Sequence, residues 1–207
     1  VSVASNFTAA SQKYGAAVTN AASSLTVVIQ PSDVTNQTGL EFFGCVVTNF
    51  SISADSGTEG GRYKWTATLQ TGKKPDLASI AEPTITAYAN TNVPLMSNAS
   101  DIRISDVSNP IMNSFTATID SPAVFTGVST TGYEVVSRGP EIAVTVDSQI
   151  KYDGNTKGFV NEFDSQTAAN TAGNMFKMVN NNAFGILVTS GLFTNVAYSE
   201  GDIMMLD

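Results

Sequence analysis

The chain of 207 residues contains no histidine. That absence removes the commonest general base, metal ligand and pH switch together, and with them the serine and cysteine hydrolase triads built on an imidazole. The single cysteine, Cys45, has no partner for an internal disulfide. Its neighbours Phe42, Phe43, Val46 and Val47 predict a buried, inert thiol rather than a nucleophile. Charge is scarce as well: Asp, Glu, Lys and Arg make up 14% of the chain, against about 25% in an average domain. Lys and Arg number 10 against 18 acidic residues, for a net charge of −8, and no basic run occurs. A phosphate grip on nucleic acid is thereby excluded. No stretch reaches the roughly 20 apolar residues of a membrane helix. The Ala-rich opening from Val1 to Ala22 is broken by Asn6, Ser11, Gln12, Lys13 and Asn20, so it lacks the apolar block of a signal peptide. Both ends, Val1 and the apolar run Ile203–Leu206, read as processed or cut.

What is present is ordinary globular material, 42% hydrophobic and 9% aromatic. A chain of this length suits one large domain burying about 70% of its unfolded surface. Ser, Thr, Asn and Gly fill the place of the missing charges. Such a domain is either extracellular and β-rich, or covers much of its surface with copies of itself.

Period-2 alternation marks strands at Leu25–Gln30, Val46–Asp55, Tyr63–Gln70, Ser114–Asp120 and Glu141–Asp147. One side of these strands carries Phe50, Ile52, Trp65, Leu69, Phe115, Ile119, Val144 and Val146, the predicted core. The other carries small hydroxyls with charges near the strand ends. Glycine-bearing turns at 56–61 and 153–155 fit hairpins, and Thr131-Gly132 and Gly139-Pro140 frame a strand at Tyr133–Arg138. Thr71–Ser100, with Pro75, Pro83 and Pro94, reads as a surface loop carrying a strand at Thr84–Tyr88. Helix is expected at Gly158–Asp164 and marginally at Gln166–Asn174. Strands return at Phe176–Val179, Phe184–Val188, Phe193–Ala197 and Ile203–Leu206. The expectation is mainly β: a single antiparallel β-sandwich or barrel over 25–207 with one short flanking helix, preceded by an arm or loop at 1–24.

Motifs with chemical meaning are few. Gly57–Gly61 is followed by no Gly-Lys-Ser/Thr and reads as a hairpin loop rather than a phosphate cradle. Asp153-Gly154-Asn155 opens like a calcium loop but lacks the later acidic ligands, so it reads as a turn. Carboxylate pairs such as Asp101 with Asp106, or Glu200 with Asp202, are formally capable of acid–base work, but nothing in the sequence places them together. Acceptor triplets for glycosylation at Asn6, Asn36, Asn49 and Asn98 arise by chance in so Asn-, Ser- and Thr-rich a chain. Tyr63, Tyr88 and Tyr133 are the contributors a sugar-stacking platform would need. No catalytic, cofactor-binding or metal-binding residue is assigned.

The run Gly44–Asp55, followed by Gly60-Gly61-Arg62-Tyr63-Lys64-Trp65-Thr66-Ala67-Thr68-Leu69, resembles the tail tube proteins of tailed bacteriophages. In that family an apolar-in, hydroxyl-out strand ending in Asp, a glycine hairpin and a Ser/Thr-rich return strand recur. Ile102–Ser105, Ser114–Asp120 and Val136–Ile142 resemble its second strand set. The likeness runs from about Ser24 to Asp207 and is carried by pattern rather than a signature motif.

The resemblance implies a virion structural protein, not an enzyme, made in the bacterial host cytoplasm. Its copies would form rings, most commonly hexameric, that stack into the conduit for DNA ejection. It also implies a tape-measure protein and a tail terminator as partners, with double-stranded DNA passing through without specific binding and no cofactor. Candidate lumen-facing residues are Ser51, Ser53, Asp55, Lys64, Thr66, Thr68, Thr116, Thr118, Asp120, Thr145 and Asp147. The alternatives are another phage tail, baseplate or capsid decoration protein, or an extracellular β-sandwich adhesin or carbohydrate-binding module.

Overall fold

Alternation in Met112–Asp120 explains the centre of the molecule: Phe115 and Ala117 are buried while Thr116 and Thr118 lie on the other side. A computed structural model describes residues 25–29, 39–78, 94–105, 107–130, 132–138, 141–165, 173–180, 184–199 and 205–206. The protein is mainly β, with antiparallel sheets in a sandwich-like arrangement and one short α-helix. The strands are β1 (Leu25–Ile29), β2 (Gly39–Asp55), β3 (Lys64–Gln70), β4 (Asp76–Ala78), β5 (Ala99–Ile104), β6 (Val107–Ser108) and β7 (Met112–Asp120). They continue as β8 (Ala123–Ser129), β9 (Gly132–Arg138), β10 (Ala143–Lys151), β11 (Phe176–Asn180), β12 (Phe184–Val188), β13 (Tyr198–Ser199) and β14 (Met205–Leu206). The helix α1 spans Gly158–Ser165, between β10 and β11.

The larger sheet runs β1-β2-β7-β10-β14-β13, with β3 and β4 both added to β2. The smaller runs β12-β11-β5-β6, and among the described residues β8 pairs only with β9. Between the two sheets lies the core. Ile52 and Ala54 from β2, Phe115 and Ala117 from β7 and Ile150 from β10 meet Ile104 from β5 and Phe176 and Met178 from β11. Phe115 sits at the middle, its ring centroid 6.0 Å from Tyr63 and 5.6 Å from Phe176. Burying one such ring contributes about 1.5–3 kcal/mol. The helix closes one end through Phe159, which is buried and 5.3 Å from the Phe193 ring.

The turn before α1 is held by its own side chains. Asp153 Oδ1 accepts from the Asn155 and Thr156 amides, and the Thr156 hydroxyl accepts from the Asp153 amide and donates to the Lys151 carbonyl. β2 is 17 residues long. Two irregularities divide it: Gly44 adopts a left-handed φ of 62° where the register with β1 shifts, and Thr48 is the extra residue against β3.

The sequence expectations hold for β7, β10, β11, β12, α1 and the hairpin joining β2 to β3, to within a few residues. Three differences have physical causes. The strand expected at Val46 begins at Gly39, because Gly39–Cys45 pairs with β1 and β4 without alternating. Phe193–Ala197 is irregular rather than a strand, since Phe193 is turned onto Phe159 and Val196 onto the core. Trp65, Leu69 and Val144 are exposed instead of core, at 70%, 39% and 49%, because the smaller sheet is too narrow to cover the edges of the larger one. The arm at 1–24, the strand at Thr84–Tyr88 and most of the helix at Gln166–Asn174 lie outside the described residues.

Candidate functional site: a hydroxyl-lined sheet face

β3, β2, β7 and β10 lie side by side, and their register places all the candidate lumen residues on one face. The rungs are continuous. Thr68, Asn49, Asp120 and Ala143 align in the first, Thr66, Ser51, Thr118 and Thr145 in the second, and Lys64, Ser53, Thr116 and Asp147 in the third. A fourth joins Asp55, Ser114 and Gln149. The face points away from the core: Lys64, Thr66, Thr68, Asp120, Thr145 and Asp147 are exposed, and Ser51, Ser53, Asp55, Thr116 and Thr118 half-buried.

Its chemistry is that of a wetted wall. The hydroxyls of Thr118 and Ser51 approach to 3.5 Å, the outer limit of a hydrogen bond, which leaves both able to bind water. Among the residues of these rungs stand one cation, Lys64, and three carboxylates, Asp55, Asp120 and Asp147. Asp55 has a second duty, accepting from the Gly57 amide at 2.7 Å and so fixing the turn into β3. A shallow depression of about 180 Å³ beside Asp55, Arg62 and Lys64 is smaller than the roughly 300–1,000 Å³ of a small-molecule site.

Sequence reasoning missed part of this face. Asn49, Ser114 and Gln149 complete its rungs, and Gln149 closes a side-chain chain running from Ser56 through Asn113. Ser56 Oγ lies 2.7 Å from Asn113 Oδ1, and Asn113 Nδ2 donates to Gln149 Oε1 at 2.6 Å. The signal for Gln149 was present in Val146, Ser148 and Ile150, whose alternation continues β10 past Asp147.

The other candidates fall elsewhere. Asp101 lies on β5 in the smaller sheet, between Arg103 Nε at 3.1 Å and Lys177 Nζ. The hydrogen bond from Lys177 holds its carboxyl below the usual range, against the opposing effect of burial and with further help from Arg103. That is the setting of an ion-paired carboxylate, whereas a general acid needs a raised pKa. Asp106, Glu200 and Asp202 lie outside the described residues, as do Asn6, Asn36 and Tyr88. Asn49 belongs to the hydroxyl face, Asn98 is exposed beside β5, and Tyr133 lies on β9. Tyr63 is half-buried and donates its hydroxyl to Met178 Sδ at 3.1 Å, so it is packed rather than offered to a ligand. Burial raises its pKa, partly offset by a hydrogen bond with Asn180. Cys45 is 4% exposed, and burial pushes its thiol up, as expected of an inert sulfur. Among the described residues no group of three acidic or cysteine side chains converges as metal ligands, and no helix is long and apolar enough to cross a membrane.

No protein-family model matches the chain, and no curated protein matches it.

Proposed function

We propose that this chain is a structural subunit of a phage-type tail tube, its hydroxyl face turned toward a lumen through which double-stranded DNA passes. One observation carries the reading: the eleven residues picked from four separate stretches of sequence share a single sheet face, directed away from the core of the described residues. A wall for a moving polyanion must be wettable, low in cations and smooth, because clustered Lys and Arg would hold phosphate through counterion release. Ser and Thr supply wetting, and the carboxylates outnumber Lys64 on these rungs. Repeated around a ring, a subunit of net charge −8 presents an acidic assembly that repels phosphate. Six copies per ring, a tape-measure protein within and a terminator at the end are the arrangement the resemblance suggests.

Negative-stain electron microscopy of the full-length protein over a concentration series, with light scattering for mass, tests this. Annular rings or hollow tubes are expected. A monodisperse monomer at every concentration overturns the proposal.

A second reading, an extracellular binding module, is favoured by Trp65, which is 70% exposed between Lys64 and Thr66. An exposed indole stacks on sugars. That reading requires a stable monomer and a sugar-dependent shift in Trp fluorescence.

A further inference from the structure

We infer that Arg103 and Lys177, on the outer face of the smaller sheet, form a docking point for a carboxylate of an acidic peptide segment in a protein partner. The site lies across the core from the hydroxyl face and serves a free or an assembled copy alike.

Strand pairing sets its geometry. Lys177 on β11 stands directly opposite Arg103 on β5, and Arg103 stands opposite Ser108 on β6. The alternate positions Ile104, Phe176 and Met178 are buried in the core, so this rung is turned outward. An ammonium, a guanidinium and a hydroxyl therefore arise from three successive strands about 4.7–4.9 Å apart. The Arg103 and Lys177 side chains remain 37% and 28% exposed. Like charges directly opposite each other destabilise a sheet, and the chain has only 10 Lys and Arg to place. Two of them meet here.

Asp101 offsets part of that repulsion. Two residues before Arg103 on the same face, it accepts from Arg103 Nε through Oδ1 at 3.1 Å and meets Lys177 Nζ through Oδ2. Among the described residues it is the one carboxylate within ion-pair distance of either cation. Two cations against one carboxylate leave one positive charge uncompensated. Because Asp101 takes Arg103 through Nε, it fixes the guanidinium while leaving the fork of Nη groups to another acceptor. A carboxylate neutralises the remaining charge; a phosphate dianion overshoots it and is repelled by Asp101. Apolar surface adjoins the charge. Leu187, 40% exposed, continues the rung beyond Lys177, and the half-buried Val179 stands opposite Asp101. A peptide carrying both acidic and apolar side chains matches both features, whereas a phosphate matches only the cations.

Fluorescence polarisation of the full-length protein with a fluorescein-labelled peptide of alternating Glu and Leu tests this. The assay is run in about 0.15 M salt, where a Debye length of about 8 Å screens the distant part of the chain's net charge of −8. Binding is expected, with the counterpart peptide of alternating Gln and Leu failing to bind. Arg103→Gln and Lys177→Gln are each expected to weaken binding about fivefold, with unchanged circular dichroism identifying folded variants. Benzoate and phenyl phosphate, the second largely a dianion at neutral pH, then compete for the bound peptide. Benzoate is expected to displace it from wild type at the lower concentration, and Asp101→Asn, which leaves two positive charges, is expected to reverse that order. A purely structural ion pair would not change the preference. Glu peptide bound no better than Gln peptide, binding indifferent to both Gln variants, phenyl phosphate as the better competitor of wild type, or an order that Asp101→Asn leaves unchanged overturns the inference. The peptide and competitor comparisons on wild type need no variant to fold.

Discussion

Ile52 and Trp65 are directly paired across β2 and β3 on the same sheet face, yet Ile52 is 9% exposed and Trp65 70%. The limit of the smaller sheet falls between them. Inward from that limit each apolar side chain is stabilised by contact on every side; outward, only a further layer or a further copy would cover it. Phe115→Ala is accordingly expected to cost about 3–5 kcal/mol, whereas Trp65→Ala leaves monomer stability within about 0.5 kcal/mol. Urea denaturation of the two variants measures the contrast.

The hydroxyl face should tolerate charge in the monomer and reveal it only toward DNA. Ser51→Lys and Thr118→Lys occupy neighbouring strands on one rung, and neither touches the core. The double variant is expected to fold and to retard duplex DNA in gel-shift assays at low salt, with the shift fading as salt rises; wild type is expected to leave DNA free.

Asp101 gives the molecule an acid-sensitive contact. Its carboxyl is held below its usual value of 3.8, so it stabilises the fold fully above that value and progressively less as pH falls through the lower folded one. Asp101→Asn should cost about 0.5–1 kcal/mol at neutral pH. The difference narrows below about pH 4 and vanishes once the carboxyl is protonated in both states, as paired melts across pH would record.

Ser105 is buried with a left-handed φ of 47°, and its hydroxyl has no hydrogen-bond partner among the described residues. Glycine relieves both conditions, so Ser105→Gly is expected to raise stability by about 1 kcal/mol. Gly61 is the reverse case. Its φ is 72° and an added Cβ would meet Met96 Cβ at 3.3 Å, so Gly61→Ala should destabilise by about 1–3 kcal/mol. Thermal melts of the pair should move in opposite directions.

Much of this architecture was legible because alternation and register share a period of two. Ser51, Thr66, Thr118 and Thr145 were assigned to polar strand faces one strand at a time, and antiparallel pairing brought them into one rung. Burial was less legible, because it depends on a second layer that strand patterns do not measure. Trp65 and Val144 have core-like neighbours in sequence and no cover in space. The first half of β2 escaped notice for another reason: Leu40-Glu41-Phe42-Phe43 does not alternate, and the glycine bulge breaks the phase before Val46. β8 was missed because, among the described residues, Ala123–Ser129 pairs only with β9, and Val124 and Val128 stand exposed rather than in a core that would impose a pattern.

The length of β2 sets how the molecule carries load. Its first half joins β1 and β4, and its second half joins β3 and β7, all through one uninterrupted backbone. Tension applied to the β1–β4 end along the strand reaches the sandwich as shear over the whole ladder from Asn49 to Asp55, where many hydrogen bonds must yield together. A pull across the strand would open them one by one. The protein is therefore stiff in the direction β2 points and compliant across it.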